Sequence, residues 1–199
     1  MARTGKTPKD WVLAGQQLLM DGGIEAIKLH RLTELLAVST GSFYHHFRSF
    51  DDYLSALAHF YGTEQAQLIF DQAREAVGDD PDLRLREATG IFGRSSMRQL
   101  NIAMRAWAHQ DERALAAVRR YDEVLMANLD QIFLDLGFDE LAAKSRTLIM
   151  LGLASLDVDE NLSPSFQERW PQIRDLILTA PEQLLSEPIR ITRTRQATG

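Results

Sequence analysis

The chain has 199 residues and a mass of 22.5 kDa, with 45% apolar residues, 25% charged residues and no cysteine. That balance suits one or two folded domains and excludes a disordered, collagen-like or low-complexity chain; the missing thiols exclude disulfide scaffolds, thiolate metal sites and cysteine nucleophiles. The net charge of −6 is unevenly spread: residues 1–50 hold six basic and four acidic side chains, net +2, leaving −8 on the remaining 149. Four of the five histidines, His30, His45, His46 and His59, also lie near the N-terminus. The longest apolar stretch, Leu148 to Ala154, is far shorter than the ~20 residues a membrane-spanning helix needs. The opening MARTGKTPKD lacks the apolar core of a secretory signal. The expectation is a soluble cytoplasmic protein with no membrane partner.

Thr7-Pro8-Lys9-Asp10 predicts a helix start, with Thr7 as N-cap, Pro8 where its missing N–H costs nothing and Asp10 completing a capping box. Trp11, Val12, Ala14, Gly15, Leu18 and Leu19 follow at helical spacing, and Gly22-Gly23 ends the helix. A second helix runs from about Lys28 to Leu36 on a stripe of Leu29, Leu32, Leu35 and Leu36. After Ala37-Val38, Ser39 caps a third helix, TGSFYHHF, with Phe43 and Phe47 on one face. Two short helices joined by a tight turn make a helix-turn-helix pattern.

The outward face of the third helix then carries Thr40, Gly41, Ser42, Tyr44 and His45. Small hydroxyls and a glycine allow close approach to a major groove, while Tyr and His donate hydrogen bonds to phosphates or bases. Free N–H groups at the Ser39 end favour phosphate. Lys28, at the start of the second helix, joins these as a DNA-binding candidate. Phe43 and Phe47 are expected in the core, and His46 as a structural hydrogen-bonder. His45 and His46 are adjacent, so on a helix they point about 100° apart and cannot chelate one metal together.

From Trp11 to Leu54 the chain resembles the DNA-binding domain of TetR-type bacterial transcriptional regulators. The matching positions are Ala14, Leu18, Gly23, Leu32, Val38, Ser39, Gly41, Phe43, Tyr44, His46, Phe47, Ser49 and Leu54, and the block from Ser39 to Phe47 is the specific part. The resemblance implies duplex DNA as partner, a phosphate contact from Tyr44, a homodimer and a C-terminal domain that governs DNA occupancy. Three positions depart from the pattern. Ala37 stands where the family has a turn glycine, so the turn either avoids positive φ or strains Ala37 by ~1 kcal/mol. Phe50 replaces a lysine that the family uses on phosphate. Ile27-Lys28 replaces a better-capped Thr-Ser start.

Ser49-Phe50-Asp51-Asp52 opens a long helix through Tyr53, Leu57, Phe60, Tyr61, Leu68, Phe70 and Val77 that stops at Gly78. At about 27 residues it would be ~40 Å long and link a small domain to a larger one. Further helices are predicted at about Pro81–Phe92, Ser95–Gln110, Asp111–Leu136, Asp139–Leu156 and Ser165–Thr179, with no run alternating as a strand does. Pro171 either starts or kinks the last helix. The segment Thr147 to Leu156 is apolar on nearly all sides, and with the final helix it is the candidate dimer seam, through Leu148, Leu151, Leu153, Leu156, Ile173 and Ile177.

Methionines and aromatics of the middle helices suggest an adaptable apolar effector pocket lined by Phe92, Met97, Met104, Trp107 and Tyr121, with Phe60, Leu100 and Met126 as further lining and Asn101 and His109 as polar contacts. For each of these residues the alternative is ordinary core. The sequence holds no G-x-S-x-G, P-loop, dinucleotide glycine fingerprint or H-E-x-x-H. The Asp157-x-Asp159-Glu160 cluster reads as a solvated helix end rather than a cation site.

The expected protein is therefore all-α and non-enzymatic, with no cofactor or metal. A helix-turn-helix domain spans 1–50, a helical effector-binding and dimerisation domain 51–182, and a flexible tail 183–199. The expected function is a ligand-responsive regulator, by family default a repressor, with an unidentified hydrophobic effector. It would act as a homodimer whose recognition helices enter successive major grooves ~34–36 Å apart. The alternative is an all-α small-molecule binding or scaffold protein whose helix-turn-helix no longer binds DNA.

Overall fold

The computed structural model describes residues 5–155 and 166–179, and among these the only regular structure is helical. The chain divides into two compact units, residues 1–156 and 157–199. No described helix is long and apolar enough to cross a membrane.

Helix α1 (Pro8–Gly22) begins with the expected reciprocal cap: Asp10 N donates to Thr7 Oγ1 at 3.3 Å and Thr7 N to Asp10 Oδ2 at 2.7 Å. These bonds to Thr7 hold the exposed Asp10 carboxyl below its ordinary pKa. Gly23, at φ 68°, ends the helix. A short 3₁₀ turn, Ile24–Ala26, leads to α2 (Leu29–Leu36), whose N-cap Lys28 offers no side-chain bond. Ala37 then adopts the left-handed conformation (φ 54°, ψ 46°), so the strained alternative is the one realised.

α3 spans Thr40–Tyr44, shorter than the eight-residue TGSFYHHF helix expected. The chain tightens after Phe43, whose carbonyl accepts from both His46 N (2.9 Å) and Phe47 N (3.0 Å), and this turn returns Phe47 to the core. Ser39 occupies the N-cap position but its side chain makes no capping bond, a second correction.

α4 (Phe50–Phe60) is capped by Ser49, which accepts from Asp52 N at 3.0 Å, while Asp52 reaches back to Arg48 N rather than to the cap itself. The expected long helix does run to Gly78 (φ 75°), but in three pieces without a break: α4, a π-helical turn at Tyr61–Gln65, and α5 (Ala66–Val77). A π turn holds one residue more than the α-helix it interrupts. Gly62 within it packs so close to the helix that carries Ala117 that a Cβ there would lie 2.8 Å from the Ala117 carbonyl oxygen.

α6 (Pro81–Phe92) starts on an Asp80 cap that accepts from Leu83 N, and α7 (Ser95–Ala108), α8 (Glu112–Asp135) and α9 (Glu140–Ser155) follow. α8 is the central element, packed on α4, the π turn, α5, α6, α7 and α9. α1 packs on α2, α4 and α7, so the N-terminal helices rest on the larger helical body. In the second unit, α10 (Phe166–Leu178) contains Pro171 in its interior, not at its start.

Candidate functional site

The N-terminal helices are organised around one ring. Phe43 is fully buried, and Trp11, Phe47, Phe50 and Tyr53 surround it with centroids 5.3, 5.2, 6.2 and 5.6 Å away, the Trp11 and Tyr53 rings meeting it edge to face. The Tyr53 hydroxyl donates to the Trp11 carbonyl at 3.0 Å, and burial raises its pKa. Because Phe43 lies in α3 and Tyr53 and Phe50 in α4, this cluster fixes α3 to the first turns of α4. It also fixes which face of α3 stays outside: Ser39, Thr40, Gly41, Tyr44 and His45 are exposed, and Ser42 is half-buried. Tyr44 is 57% exposed although its ring edge touches Phe43 at 5.3 Å, which leaves its hydroxyl end free of the core. Lys28 is exposed too. Phe50, in place of a cation, is half-buried with its ring against Phe43 and Tyr53. His46 is half-buried against His45 and Phe47.

A second cluster lies where the π turn meets α7 and α8. Tyr61 and Tyr121 stack at 4.4 Å and 13°, with Phe92 6.3 Å from Tyr121. Met104, Trp107, Leu100, Tyr121 and Phe60 are buried, and Phe92 and Met97 half-buried. The same region holds polar groups. Arg105 donates to Asn101 at 2.8 Å and forks onto Asp122 at 3.2 and 2.6 Å. Burial pushes both tyrosine hydroxyls upward in pKa, and that of Tyr61 has no hydrogen-bond partner. Gln16 of α1 donates to Gln65 at 3.3 Å, and Gln65 donates to Met97 Sδ at 3.5 Å, tying α1 to the π turn and α7. Of the other candidates for the pocket, Met126 is 39% exposed and His109 lies exposed at the C-cap of α7.

Between the two clusters stands Arg113. Its guanidinium donates to Asp111 at 3.1 and 2.9 Å, to Asp51 Oδ1 at 2.6 Å and the Asp51 carbonyl at 3.1 Å, and to Ser55 Oγ at 3.4 Å. The hydrogen-bonded guanidinium holds Asp111 below the usual carboxylate range, and a weaker bond from the Trp107 side chain adds to this. Asp111 and Asp51 in turn raise Arg113 above its ordinary value. Sequence reasoning found Asp51 only as part of a cap and missed Arg113, because the partners are 62 positions apart.

On α9, Leu148 is 69% exposed, Leu151 and Leu153 half-buried; neighbouring Leu141 and Ile149, not singled out in the sequence, are 78% and 54% exposed. In α10, Ile173 is half-buried and Ile177 buried. Leu156, the Asp157–Glu160 cluster and the tail 183–199 lie outside the described residues. No group of three or more His, Asp or Glu among the described residues is arranged to hold a metal ion.

No protein-family model and no curated protein matches the sequence. Solved structures do match its fold. A putative TetR-family transcriptional regulator from Rhodococcus sp. superposes with a TM-score of 0.64 at 17% identity, over 86% of this chain and 98% of the other. NemR of E. coli in its reduced form gives 0.63 at 19% identity, over 85% and 94%. The multidrug binding protein EbrR, complexed with malachite green, gives 0.59 at 17% identity, over 88% and 99%. The fold is therefore the all-α TetR-type fold, shared along nearly the full length of these proteins.

Proposed function

We propose that this chain is a ligand-responsive transcriptional regulator, most simply a repressor, that binds duplex DNA as a homodimer on a pseudo-palindromic operator. In this reading residues 1–50 are the DNA-binding domain, 51–182 the effector-binding and dimerisation domain, and 183–199 a tail. The observation that carries it is the outer face of α3. Ser39, Thr40, Gly41, Tyr44 and His45 are held in the open by a buried ring cluster that has no other evident use for so exposed a tyrosine.

The fold it shares with transcriptional regulators supports the same reading, and so does the small molecule bound by one protein of that fold. The exposed apolar residues Leu141, Leu148 and Ile149 of α9 support self-association. The effector is an apolar molecule contacted by Phe92, Met97, Met104, Trp107 and Tyr121. No catalytic step and no cofactor enter this proposal, and the protein works in the cytoplasm, where the DNA is.

Phe50 favours a second reading. Its ring fills the core where a cation would face phosphate, which suits a binding or scaffold protein with a silent helix-turn-helix. Selection of binding sites from random duplex DNA separates the two. The regulator is expected to enrich a two-fold symmetric motif with affinity that falls steeply with salt, and Tyr44→Ala to weaken binding to all sequences alike. Recovery of no motif would overturn the proposal.

A further inference from the structure

Tyr61 carries a hydroxyl that its own surroundings do not use. The residue is 1% exposed, in a π turn packed on α4, α5 and α8, and the hydroxyl has no hydrogen-bond partner among the described residues. A buried donor with nothing to donate to costs stability, and a phenylalanine would fill the same space without it. Burial also keeps the hydroxyl protonated, holding its pKa well above the ordinary value. The group therefore stands ready as a donor and lacks an acceptor. Trp11 Nε1, also unbonded, is a different case. That nitrogen comes with the indole, so no side chain of the same shape lacks it, and it lies in the packed ring cluster around Phe43.

The neighbours of Tyr61 define the acceptor that would suit it. Tyr121 stacks on its ring at 4.4 Å and Phe92 lies 6.3 Å from Tyr121, so the surroundings are aromatic and favour a flat partner. Phe92 and Met97 are half-buried, and an unbranched methionine repacks readily around a guest. The nearby charges are already matched. Arg105 forks onto both oxygens of Asp122, the residue after Tyr121, and its Nε donates to Asn101. A charged guest would find neither a free carboxylate nor an uncommitted guanidinium fork to offset its desolvation.

We infer that the Tyr61 hydroxyl is the polar anchor of the effector site, donating to one neutral carbonyl oxygen on a flat aromatic molecule. This rests on the effector reading and adds to it the chemical class of the ligand. A hydrocarbon of the same shape leaves the donor unbonded, whereas a ketone satisfies it. Selectivity then comes from a single buried hydroxyl rather than from charge.

The test is isothermal titration calorimetry on the full-length chain with matched pairs of probes: acetophenone and ethylbenzene, benzophenone and diphenylmethane, fluorenone and fluorene. Within each pair the shape is nearly kept and the carbonyl oxygen is lost. For at least one pair the wild type is expected to bind the ketone about three- to tenfold more tightly than the hydrocarbon, the range of one net hydrogen bond. Tyr61→Phe should bring that ratio close to unity, chiefly by weakening the ketone, and should melt no lower than the wild type, so that lost selectivity is not lost folding. Tyr53→Phe removes a hydroxyl from the ring cluster around Phe43 and should leave the ratio unchanged. Diphenylacetate, an anion of similar size, should bind more weakly than benzophenone.

A ketone preference that survives in Tyr61→Phe puts the donor elsewhere and overturns the inference, and equal binding of ketones and hydrocarbons by the wild type does the same. In both cases the effector reading stands. Tighter binding of diphenylacetate than of benzophenone overturns the neutral class. If none of the neutral probes binds, the effector reading itself falls and the inference falls with it.

Discussion

Around Phe43 the rings of Trp11, Phe47, Phe50 and Tyr53 meet edge to face or tilted, and the buried Tyr53 hydroxyl has a carbonyl to bond. Around Tyr121 the packing differs. Two tyrosines stack nearly parallel, one hydroxyl is left without a partner, and an Asn–Arg–Asp network runs beside a helix that carries an extra residue. Each cluster leaves one donor unbonded, Trp11 Nε1 in the first and Tyr61 Oη in the second. The difference lies in what surrounds it.

The N-terminal cluster is apolar and shape-determined, which suits a part that must present one fixed face. The central cluster keeps buried polar groups that cost stability unless something satisfies them, and flexible methionine and glutamine side chains that can repack. One region is built to hold a shape, and the other has side chains that can repack.

Five substitutions in four tests probe that contrast, starting with the largest effect. Phe43→Ala removes the hub of five rings and should cost about 3–5 kcal/mol, enough to unfold α1–α3 before the body; urea denaturation followed through Trp11 should then show a separate early transition. Gly62→Ala sets a Cβ 2.8 Å from a backbone oxygen that cannot swing aside, and is expected to cost about 1–3 kcal/mol by calorimetry despite alanine's better helix propensity.

The third test is one change made twice. Tyr53→Phe loses a satisfied hydrogen bond and should destabilise by about 0.5–1.5 kcal/mol, whereas Tyr61→Phe deletes an unpartnered hydroxyl and should stabilise by about 1 kcal/mol. Equal signs in chemical denaturation would erase the distinction between the clusters. The smallest effect is Ala37→Gly. It relieves left-handed strain of about 1–2 kcal/mol, partly offset by glycine's looser unfolded chain, so a net gain of about 0.5–1 kcal/mol in thermal denaturation is expected.

The sequence made some features legible and hid others for a physical reason. Thr7 and Ser49 announce helix starts because capping is local, and Gly22-Gly23 and Gly78 announce ends for the same reason. Pro81–Phe92 was readable to the residue. The exposed face of α3 was also legible, since Phe43 and Phe47 define the face opposite to it.

The π turn was hidden. Gly62 and Thr63 weaken the helix there without breaking the apolar stripe on either side, and only the approach of Gly62 to α8, a tertiary fact, accompanies the extra residue. Arg113 was hidden because its partner Asp51 lies on another helix, and a surface arginine looks alike whether it meets water or a carboxylate. The 39% exposure of Met126 was not readable from its apolar type alone, since it depends on the phase of α8 against its neighbours.

The surplus residue in Tyr61–Gln65 also works as a phase adjuster between two parts of one rod. Each residue of an α-helix advances the azimuth by about 100°. By storing one residue in a wide turn, the chain lets α4 and α5 each keep the bearing its own apolar stripe demands. Were that turn to close to ordinary α geometry with the residue count unchanged, everything N-terminal to it would swing by about 100° around the rod. Excising one residue inside the turn, such as the exposed Glu64, would instead leave the bearing nearly intact, whereas excising one from within α5, such as the exposed Gln72, would not. The compass heading of the exposed face of α3 is thus set by a count of residues some 20 positions away from it along the chain.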